Sequence, residues 1–450
     1  MKKLFLSFLL CVLSAITYGQ TFFVKVFDKN SKLPIEKAHL KLGTKVYLTN
    51  SEGLAIISPL KTTRLEITHL QYQKQTIYLK GKRRKEIFLL EKQSVLDEVV
   101  ITSKRELKKY INYKELEKLP KPIHSFSSVI IKDKLYTFGG DGSVLEYSNK
   151  RGLSEILDSN EANIMKFLTK AKIGNFYRYR NQSFVYDFNI KEWKINSKKL
   201  HKRAYHKAVL HKDLIYILGG KRLTLTKKKE MLMGNIEVFD PINNSIKVDE
   251  MNPHLAVNFE SLVFEDKLLV IGGSTKMKES DFKELKEYTD KIHLYDFKTG
   301  YWYLLTNMSK GKETSGIIIN KKLYLFGGFK DKGLKEIETF DLVTGKWKTE
   351  GNLVSAMKRP AITRNNNTVY LFENNIITSY NTITKELKNY RIDLPIYGAT
   401  MHFKNNHLYI VGGTEVGEFS NTPKSSFLEI SLDEFESTEI KEIKTLNQTL

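Results

Sequence analysis

The feature that most restricts the fold of this 450-residue chain is a short apolar strand that ends in two glycines and recurs from about residue 122 onward. The copies that keep both glycines are Leu135 to Gly140, Ile215 to Gly220, Leu268 to Gly273, Leu323 to Gly328 and Leu408 to Gly413. A sixth copy, Val369 to Asn374, has lost them. Repetition at such a period is typical of architectures in which each repeat is one supersecondary unit that packs on its neighbours. The paired glycines allow a close approach of backbones where inner strands crowd together.

A second motif follows most of these strands: an aromatic residue and Asp, then Trp six positions after the Asp. All 3 Trp of the chain occupy this position, in Tyr186-Asp187 with Trp193, Tyr295-Asp296 with Trp302, and Phe340-Asp341 with Trp347. Degraded copies are Phe239-Asp240 with Ile246, Tyr380-Asn381 with Leu387, and the segment from Phe427 to Phe435. We expect the Asp side chain to cap a turn and the Trp to fill the space between neighbouring sheets.

Together the two motifs resemble kelch repeats. The resemblance implies an all-β fold whose residues 122–450 form a six-bladed propeller of four-stranded blades. Residues 148–176 interrupt the first repeat, and the helical spacing of Ile164, Met165 and Leu168 predicts a short surface helix within residues 160–172. This insertion is either a tolerated loop or a lid or contact site.

Residues 21–92 read as about seven short strands separated by turn residues, a pattern typical of a small β-sandwich. Three short motifs stand in order here: Val26-x-Asp28, Leu33-Pro34-Ile35-x-x-Ala38-x-Leu40, and Thr49 to Gly53. They resemble the carboxypeptidase regulatory-like domain of Bacteroidetes envelope proteins, and Leu96 to Thr102 resembles the segment that often follows it. We expect this accessory domain over residues 20–102 and a charged linker over residues 103–121. The resemblance implies no peptidase chemistry.

The N-terminus has the form of a secretory signal peptide over residues 1–19: a basic start at Met1 to Lys3, an apolar run from Leu4 to Thr17, and Gly19 before a new terminus at Gln20. The apolar run is shorter than the roughly 20 residues of a membrane span. An uncleaved anchor is the alternative. The single Cys, Cys11, lies inside this segment, so the mature chain is expected to lack disulfides, cysteine-ligated zinc and cysteine nucleophiles.

The chain is strongly basic, with 73 Lys+Arg against 51 Asp+Glu and a formal net charge of +22. The excess is spread along the sequence, and its densest runs, Lys80 to Lys85 and Lys227 to Lys229, lie between predicted strands. Such runs are either solvated turns or sites of attraction to anionic lipid heads or acidic glycans, so peripheral membrane association stays open. Nucleic acid is disfavoured as a partner, because we expect export and find no aromatic-and-basic binding motif.

Residues that lie fourteen positions before each first glycine, or before its equivalent Glu373, should converge around the propeller axis. This count selects Ser125, Tyr205, Asn258, Glu313, Arg359 and Gly398. Two residues later the same count selects Ser127, Lys207, Glu260, Ser315, Ala361 and Thr400. The candidate ligand-binding residues at the channel rim are Ser125, Tyr205, His206, Asn258, Glu260, Glu313 and Arg359. Glu313 and Arg359 either bind a polar ligand or pair with each other.

No metal or cofactor is expected. His201, His206 and His211 recur every five residues, which alternates faces along a strand and keeps the three imidazoles from one metal. No nucleophile elbow, P-loop or dinucleotide fingerprint is present. A copper-radical enzyme of the galactose oxidase type is excluded as well, since its cross-link requires a cysteine.

The sequence therefore favours an exported, non-enzymatic binding or scaffold protein, in the periplasm or associated with the outer membrane, that engages an envelope protein or glycan through the propeller face. The alternative is a sugar epimerase or mutarotase, because some periplasmic kelch propellers have such activities. In that case Glu313 would transfer protons and Arg359 would bind a carboxylate.

Overall fold

The computed structural model describes residues 21–58, 63–92, 106–146, 178–227, 229–279, 284–418 and 420–446. The chain divides into two compact units, Met1–Lys104 and Arg105–Leu450. The predicted signal peptide, the segment from Leu96 to Thr102, and the 148–176 insertion with its predicted helix lie outside the described residues.

The described elements are almost all strands. In the first unit they are β1 (Phe22–Asp28), β2 (His39–Leu42), β3 (Lys45–Leu48), β4 (Leu54–Ile57), β5 (Arg64–His69), β6 (Tyr72–Tyr78) and β7 (Arg84–Leu89). The second unit begins with β8 (Lys114–Glu115), β9 (Ser127–Ile131), β10 (Lys134–Phe138), β11 (Leu145–Glu146), β12 (Ser183–Asp187), β13 (Glu192–Ile195), β14 (Lys207–His211), β15 (Leu214–Leu218), β16 (Lys221–Leu223), β17 (Glu230–Leu232), β18 (Asn235–Asp240) and β19 (Ser245–Met251).

The second unit continues with β20 (Glu260–Phe264), β21 (Lys267–Ile271), β22 (Met277–Lys278), β23 (Glu284–Leu285), β24 (Lys291–Asp296), β25 (Trp302–Asn307), β26 (Glu313–Ile319), β27 (Lys322–Lys330), β28 (Lys332–Asp341), β29 (Trp347–Met357) and β30 (Ala361–Asn365). It ends with β31 (Thr368–Glu373), β32 (Ile376–Asn381), β33 (Glu386–Arg391), β34 (Ile396–Tyr397), β35 (Thr400–Lys404), β36 (His407–Val411), β37 (Thr414–Val416), β38 (Ser420–Pro423), β39 (Phe427–Ser431), α1 (Glu434–Ser437) and β40 (Glu442–Thr445).

The first unit has two sheets, with strand orders β4-β1-β7 and β3-β2-β5-β6. Strand β1 pairs antiparallel with β4 and parallel with β7. Its side chains alternate, so that Phe22, Val24 and Val26 are buried. They join residues of the other sheet, including Leu40 and Ile67, in one apolar core. Burial of alternate side chains from both sheets is the packing of a β-sandwich.

The second unit is a six-bladed propeller. Its blades have the strand orders β9-β10-β12-β13, β14-β15-β18-β19, β20-β21-β24-β25, β26-β27-β28-β29, β30-β31-β32-β33-β40 and β8-β39-β36-β35; the fifth has five strands and the others have four. We number them blades 1 to 6 in that order. The inner strands β9, β14, β20, β26, β30 and β35 each contact the next one around the ring, and β35 contacts β9. The prediction of an all-β chain with a six-bladed propeller is confirmed.

The structure differs from the expectation of a charged linker over residues 103–121. Strand β8 pairs with β39 and supplies the outermost strand of blade 6, so the ring closes with chain from before residue 122. Ile111 and Leu119 are buried in the propeller core. The charged side chains of the strand, Lys114 and Glu115, are exposed at the edge of the blade, while apolar residues of the same segment are buried.

The Asp and Trp of the second motif have the roles predicted for them. The carboxylates of Asp187, Asp240, Asp296 and Asp341 accept hydrogen bonds from backbone N–H groups two residues on, and Asn381 does the same in blade 5. The Trp packs on the aromatic residue before that Asp, with ring centroids 5.0 to 5.2 Å apart. Trp193 also contacts Phe427 of blade 6, at 5.3 Å. The motif thus joins a turn within one blade to the packing between blades.

Candidate functional site

A cavity of about 800 Å³ lies at the propeller axis. All six inner strands or the residues just before them line it. One lining residue from each blade, in order, is Ser128, Lys207, Glu260, Ser315, Arg359 and Thr400. A cavity of this volume suits a small ligand or the side chains of a partner.

Four of the six residues selected by counting back from the glycines meet around this cavity in an unusual conformation. Ser125, Tyr205, Asn258 and Gly398 all have positive φ, between 47° and 62°. The Ser125 N–H donates to the carbonyl of Gly398, the Tyr205 N–H to that of Ser125, and the Asn258 N–H to that of Tyr205. A positive φ is rare for a bulky residue such as Tyr205. The backbone hydrogen bonds that run from blade to blade therefore hold Tyr205 in a strained conformation.

Glu313 does not belong to this set. Glu313 pairs with Phe329 across its blade, as His124 pairs with Asp141 in blade 1. In blade 1 the residue with positive φ, Ser125, comes one position after His124. In blade 4 that residue is missing, because Thr314 follows directly as the equivalent of Phe126. The count of fourteen was therefore wrong for blade 4, since it assumed an equal number of residues in every blade.

Glu313 and Arg359 form an ion pair, one of the two alternatives that the sequence left open. Arg359 Nη1 lies 3.1 Å from Glu313 Oε2, and the Ser274 hydroxyl donates to Oε1 at 2.7 Å. The Glu313 side chain is 1% exposed and that of Arg359 is 42% exposed. The carboxylate is thus a fixed anchor, and the guanidinium keeps donors that face the cavity.

Glu373 has a positioning role that the sequence did not reveal. It stands where other blades have their first glycine, and its carboxylate accepts hydrogen bonds from the backbone N–H groups of Lys358, at 2.8 Å, and Arg359, at 2.9 Å. This residue reads as a lost glycine in the sequence. In the structure it holds the backbone that presents Arg359.

Glu260 and Lys207 form a second charged pair in the wall. Lys207 Nζ lies 2.9 Å from Glu260 Oε1. The buried carboxylate also accepts hydrogen bonds from the backbone N–H groups of Ser261, at 2.9 Å, and Gly316, at 3.1 Å. Glu260 therefore ties blades 2, 3 and 4 together, while the Lys207 side chain stays 34% exposed.

A third group of polar residues surrounds Tyr205. Its hydroxyl donates to Asp141 Oδ2 at 2.9 Å, and burial raises the pKa of Tyr205 well above its ordinary value. Lys221 Nζ lies 4.8 Å from the Tyr205 ring centroid and donates to Glu230 at 2.7 Å, and the Tyr179 hydroxyl also donates to Glu230. Asp141 and Lys221 directly follow Gly-Gly pairs, which is the sequence signal that could have found them.

His206 is among the residues that line the axial cavity, but it is almost fully buried. A Cβ atom added to Gly139 of blade 1 would lie 2.9 Å from His206 Cε1. A Cβ atom added to Gly220 of blade 2 would lie 2.7 Å from His206 Cβ. Phe126 and Phe259 fill the equivalent places in their blades. Burial lowers the pKa of His206 well below its ordinary value. The imidazole is a packing residue, and the paired glycines make room for it.

The other histidines of the five-residue series lie apart. His201 contacts Glu237 at 3.0 Å, and His211 stacks on Phe297 with ring centroids 3.8 Å apart. In the part of the chain that the structure describes, no group of three His, Cys, Asp or Glu residues is placed to hold a metal ion. Within those same residues no helix is long and apolar enough to cross a membrane.

We expect the stability of the propeller to depend on pH through His254. Its Nε2 contacts the carbonyl of Gly272 at 2.6 Å and its Nδ1 contacts His293 Nδ1 at 2.8 Å, and burial lowers the pKa of His254 to about 4. In the unfolded chain the His254 imidazole takes up a proton near pH 6.5, whereas in the folded chain it stays neutral down to about pH 4. The contribution of His254 to stability is therefore present above pH 6.5 and is lost as the pH falls toward 4. On lowering the pH from 7 to 5, urea unfolding should show that His254→Gln loses about 2 kcal/mol less stability than the native chain. Equal losses in both proteins contradict the assignment.

The chain is similar in sequence to several known proteins. A family model described as the Attractin/LZTR1 beta-propeller matches residues 160–337. Kelch-like protein 23 of Homo sapiens is 30% identical over 152 residues, which are 32% of this chain and 24% of that protein, and its Mus musculus counterpart is 29% identical. The chain thus spans about a quarter of the length of these curated relatives. The solved structure of YjhT covers 69% of this chain and 95% of its own, with 13% identity and a TM-score of 0.49.

The six blades, the repeated Gly-Gly and aromatic-Asp motifs and the matches to kelch-like proteins lead to one conclusion. The second unit of this protein is a β-propeller of kelch type.

Proposed function

We propose that this protein is an exported binding or scaffold protein that engages an envelope glycan or protein through the axial cavity of its propeller. The observation that carries the proposal is the wall of that cavity, where Lys207 and Arg359 are each anchored by a buried carboxylate and remain partly exposed. A cation that is held in place loses little freedom when it binds an oxygen-rich or anionic group.

The carboxylates of the wall support binding rather than proton transfer. Both oxygens of Glu313 and of Glu260 already accept hydrogen bonds, and both side chains are buried. A general base needs to reach a proton of the substrate. The epimerase or mutarotase alternative assigns that role to Glu313, which the geometry does not favour.

Export and the identity of the first unit are part of the proposal. The basic start and apolar run of residues 1–17 support a signal peptide, and the order of the motifs between Val26 and Gly53 supports a carboxypeptidase regulatory-like accessory domain. We place the protein in the periplasm or at the outer membrane.

The test is binding by the full chain to a glycan array and to detergent-solubilised envelope from its source. Arg359→Gln removes a charged donor and should weaken binding at least tenfold, because a hydrogen bond to a charged group contributes about 1.5–3 kcal/mol. Arg391→Gln is the matched control, since Arg391 pairs with Glu439 on an outer strand.

Binding that Arg359→Gln leaves unchanged would move the site away from the axial cavity. A native chain that binds nothing in either assay would overturn the proposed function itself.

A further inference from the structure

The outer strand of blade 3, β25, lacks the charges that protect the other outer strands of the propeller. It runs from Trp302 to Asn307 with the sequence Trp-Tyr-Leu-Leu-Thr-Asn. Of the six outer strands that the structure describes, the other five, β8, β13, β19, β29 and β33, each contain at least one lysine and one glutamate. Charged side chains on an edge strand, lysine above all, keep it from pairing with a strand of another chain.

Large apolar side chains are exposed along β25. Tyr301, just before the strand, is 67% exposed, and Tyr303, Leu304 and Leu305 are 49%, 57% and 38% exposed. Trp302 differs from them, because its ring packs on Tyr295 within the blade. Four exposed apolar residues within five positions form a patch of the kind that marks an interaction surface.

One edge of β25 is free for a further strand. In the sheet order β20-β21-β24-β25, its one neighbour among the described residues is β24. Residues Trp302 to Leu304 keep a regular antiparallel register with β24, and the register then shifts, which leaves Leu305 in a bulge. A bulge bends a strand and disrupts its regular pairing. The regular part of the free edge therefore ends at Leu304.

Blade 5 shows that an outer edge of this propeller accepts a further strand. Strand β40 pairs antiparallel with β33 over four residue pairs, from Glu386 with Thr445 to Asn389 with Glu442, and becomes the fifth strand of the blade. The side chains of β40 are exposed, whereas Leu446, directly after it, is buried in an apolar cluster. Backbone pairing and one apolar anchor thus hold a short strand at the rim.

We propose that two copies of this protein associate through β25, with the two β25 strands antiparallel across a two-fold axis. In such a pairing one strand supplies both halves of the interface, so an uncharged edge meets an uncharged edge. A net charge of +22 makes the surfaces of two copies repel each other in general, whereas the segment from Tyr301 to Asn307 brings no like charges together.

The pairing gives blade 3 a fifth strand, as β40 does in blade 5, and covers Tyr303 and Leu304. The inference goes beyond the proposed function, because the interface lies on the outer strand of a blade rather than at the axial cavity.

The experiment measures the mass of the full chain by sedimentation equilibrium over a series of protein concentrations. We expect a reversible equilibrium between monomer and dimer, since a short pair of strands makes a small interface. Leu304→Lys places a charge in each of the two paired strands and should weaken association at least about tenfold. Amide hydrogen exchange at Tyr303 and Leu304 should also be slower at high than at low concentration of the native chain.

The matched control is Val248→Lys, because Val248 is 59% exposed and lies on β19, an outer strand that already carries charges. This variant should associate as strongly as the native chain.

Two results would overturn the inference. One is a native chain that stays monomeric up to its highest soluble concentration, a result that needs no variant; β25 would then be left to a strand of a different protein. The other is a folded Leu304→Lys chain, checked by circular dichroism, that dimerises as strongly as the native chain, which would place the interface elsewhere. Neither result bears on ligand binding at the axial cavity.

Discussion

Replacing Arg203 by methionine should lower the free energy of unfolding of the propeller by about 3–5 kcal/mol, the cost of removing one partner of a buried ion pair. The Arg203 side chain is 0% exposed and contacts Glu237 at 2.6 Å, and the Glu237 side chain is 2% exposed. Arg203 also donates to the backbone carbonyls of Ile217, Gly219 and Asn235. Its own carbonyl accepts from the Gly140 N–H of blade 1, so this residue joins two blades. Methionine leaves the buried Glu237 carboxylate without its guanidinium partner, and only the contacts with His201 remain.

The matched control is Lys388→Met, because Lys388 and Glu386 form an ion pair with side chains that are 32% and 34% exposed. We expect a loss of less than about 1 kcal/mol there. Adding Glu237→Leu to Arg203→Met should recover part of the lost stability, since the unpaired charge is gone, while the three carbonyls still lack their donor. Urea unfolding measures all four proteins. A loss for Arg203→Met no larger than for Lys388→Met contradicts the role of the buried pair.

Replacing Gly328 by alanine should cost roughly 3 kcal/mol or more, a loss typical of strain at a special backbone conformation. The φ of Gly328 is +117°, which L side chains rarely adopt, and a Cβ there would overlap the carbonyl oxygen of Glu313. That oxygen belongs to the inner strand of the same blade and has little room to move. The substitution should also displace Glu313 and, through their ion pair, Arg359. The glycine pair is thus coupled to the wall of the axial cavity.

Gly345→Ala separates the two causes. Gly345 lies in the same blade with a φ of +67°, and nothing lies within 4 Å of an added Cβ. Only the backbone cost of about 1–2 kcal/mol should remain. Thermal unfolding of the two variants under the same conditions gives the comparison. Equal shifts in the two variants would mean that crowding at the Gly-Gly pair contributes nothing.

Repetition made much of the fold accessible from sequence. The Gly-Gly strands and the aromatic-Asp turns recur because every blade meets the same packing requirement, so their order predicted six blades and the roles of Asp187 and Trp193. The outer strand of blade 6 was not accessible, because Lys114 and Glu115 lie on an edge and carry no alternation of buried side chains. A strand of two residues is recognised only from its partner, β39.

The candidate site was less accessible, for a reason that particular residues show. Counting from the glycines placed Ser125, Tyr205, Asn258 and Gly398 together. The count works in those blades because the same number of residues separates this position from the first glycine. One missing residue moved Glu313 out of that set, and a count cannot detect such a deletion. The sequence predicts His206 as a polar residue near the rim. In the structure its side chain fills the space beside two glycines, where other blades have a phenylalanine.

The sequence by itself determined the propeller, its number of blades and the turns between outer strands, because these follow from local patterns that repeat. The tertiary structure decided which charges pair across blades, as in Arg359 with Glu313 and Lys207 with Glu260, and which side chains meet where the ring closes, as in Ser128 with His402. Those contacts join residues up to 274 positions apart, as for Ser128 and His402. Their geometry depends on how six blades close around one axis, and no local pattern encodes it.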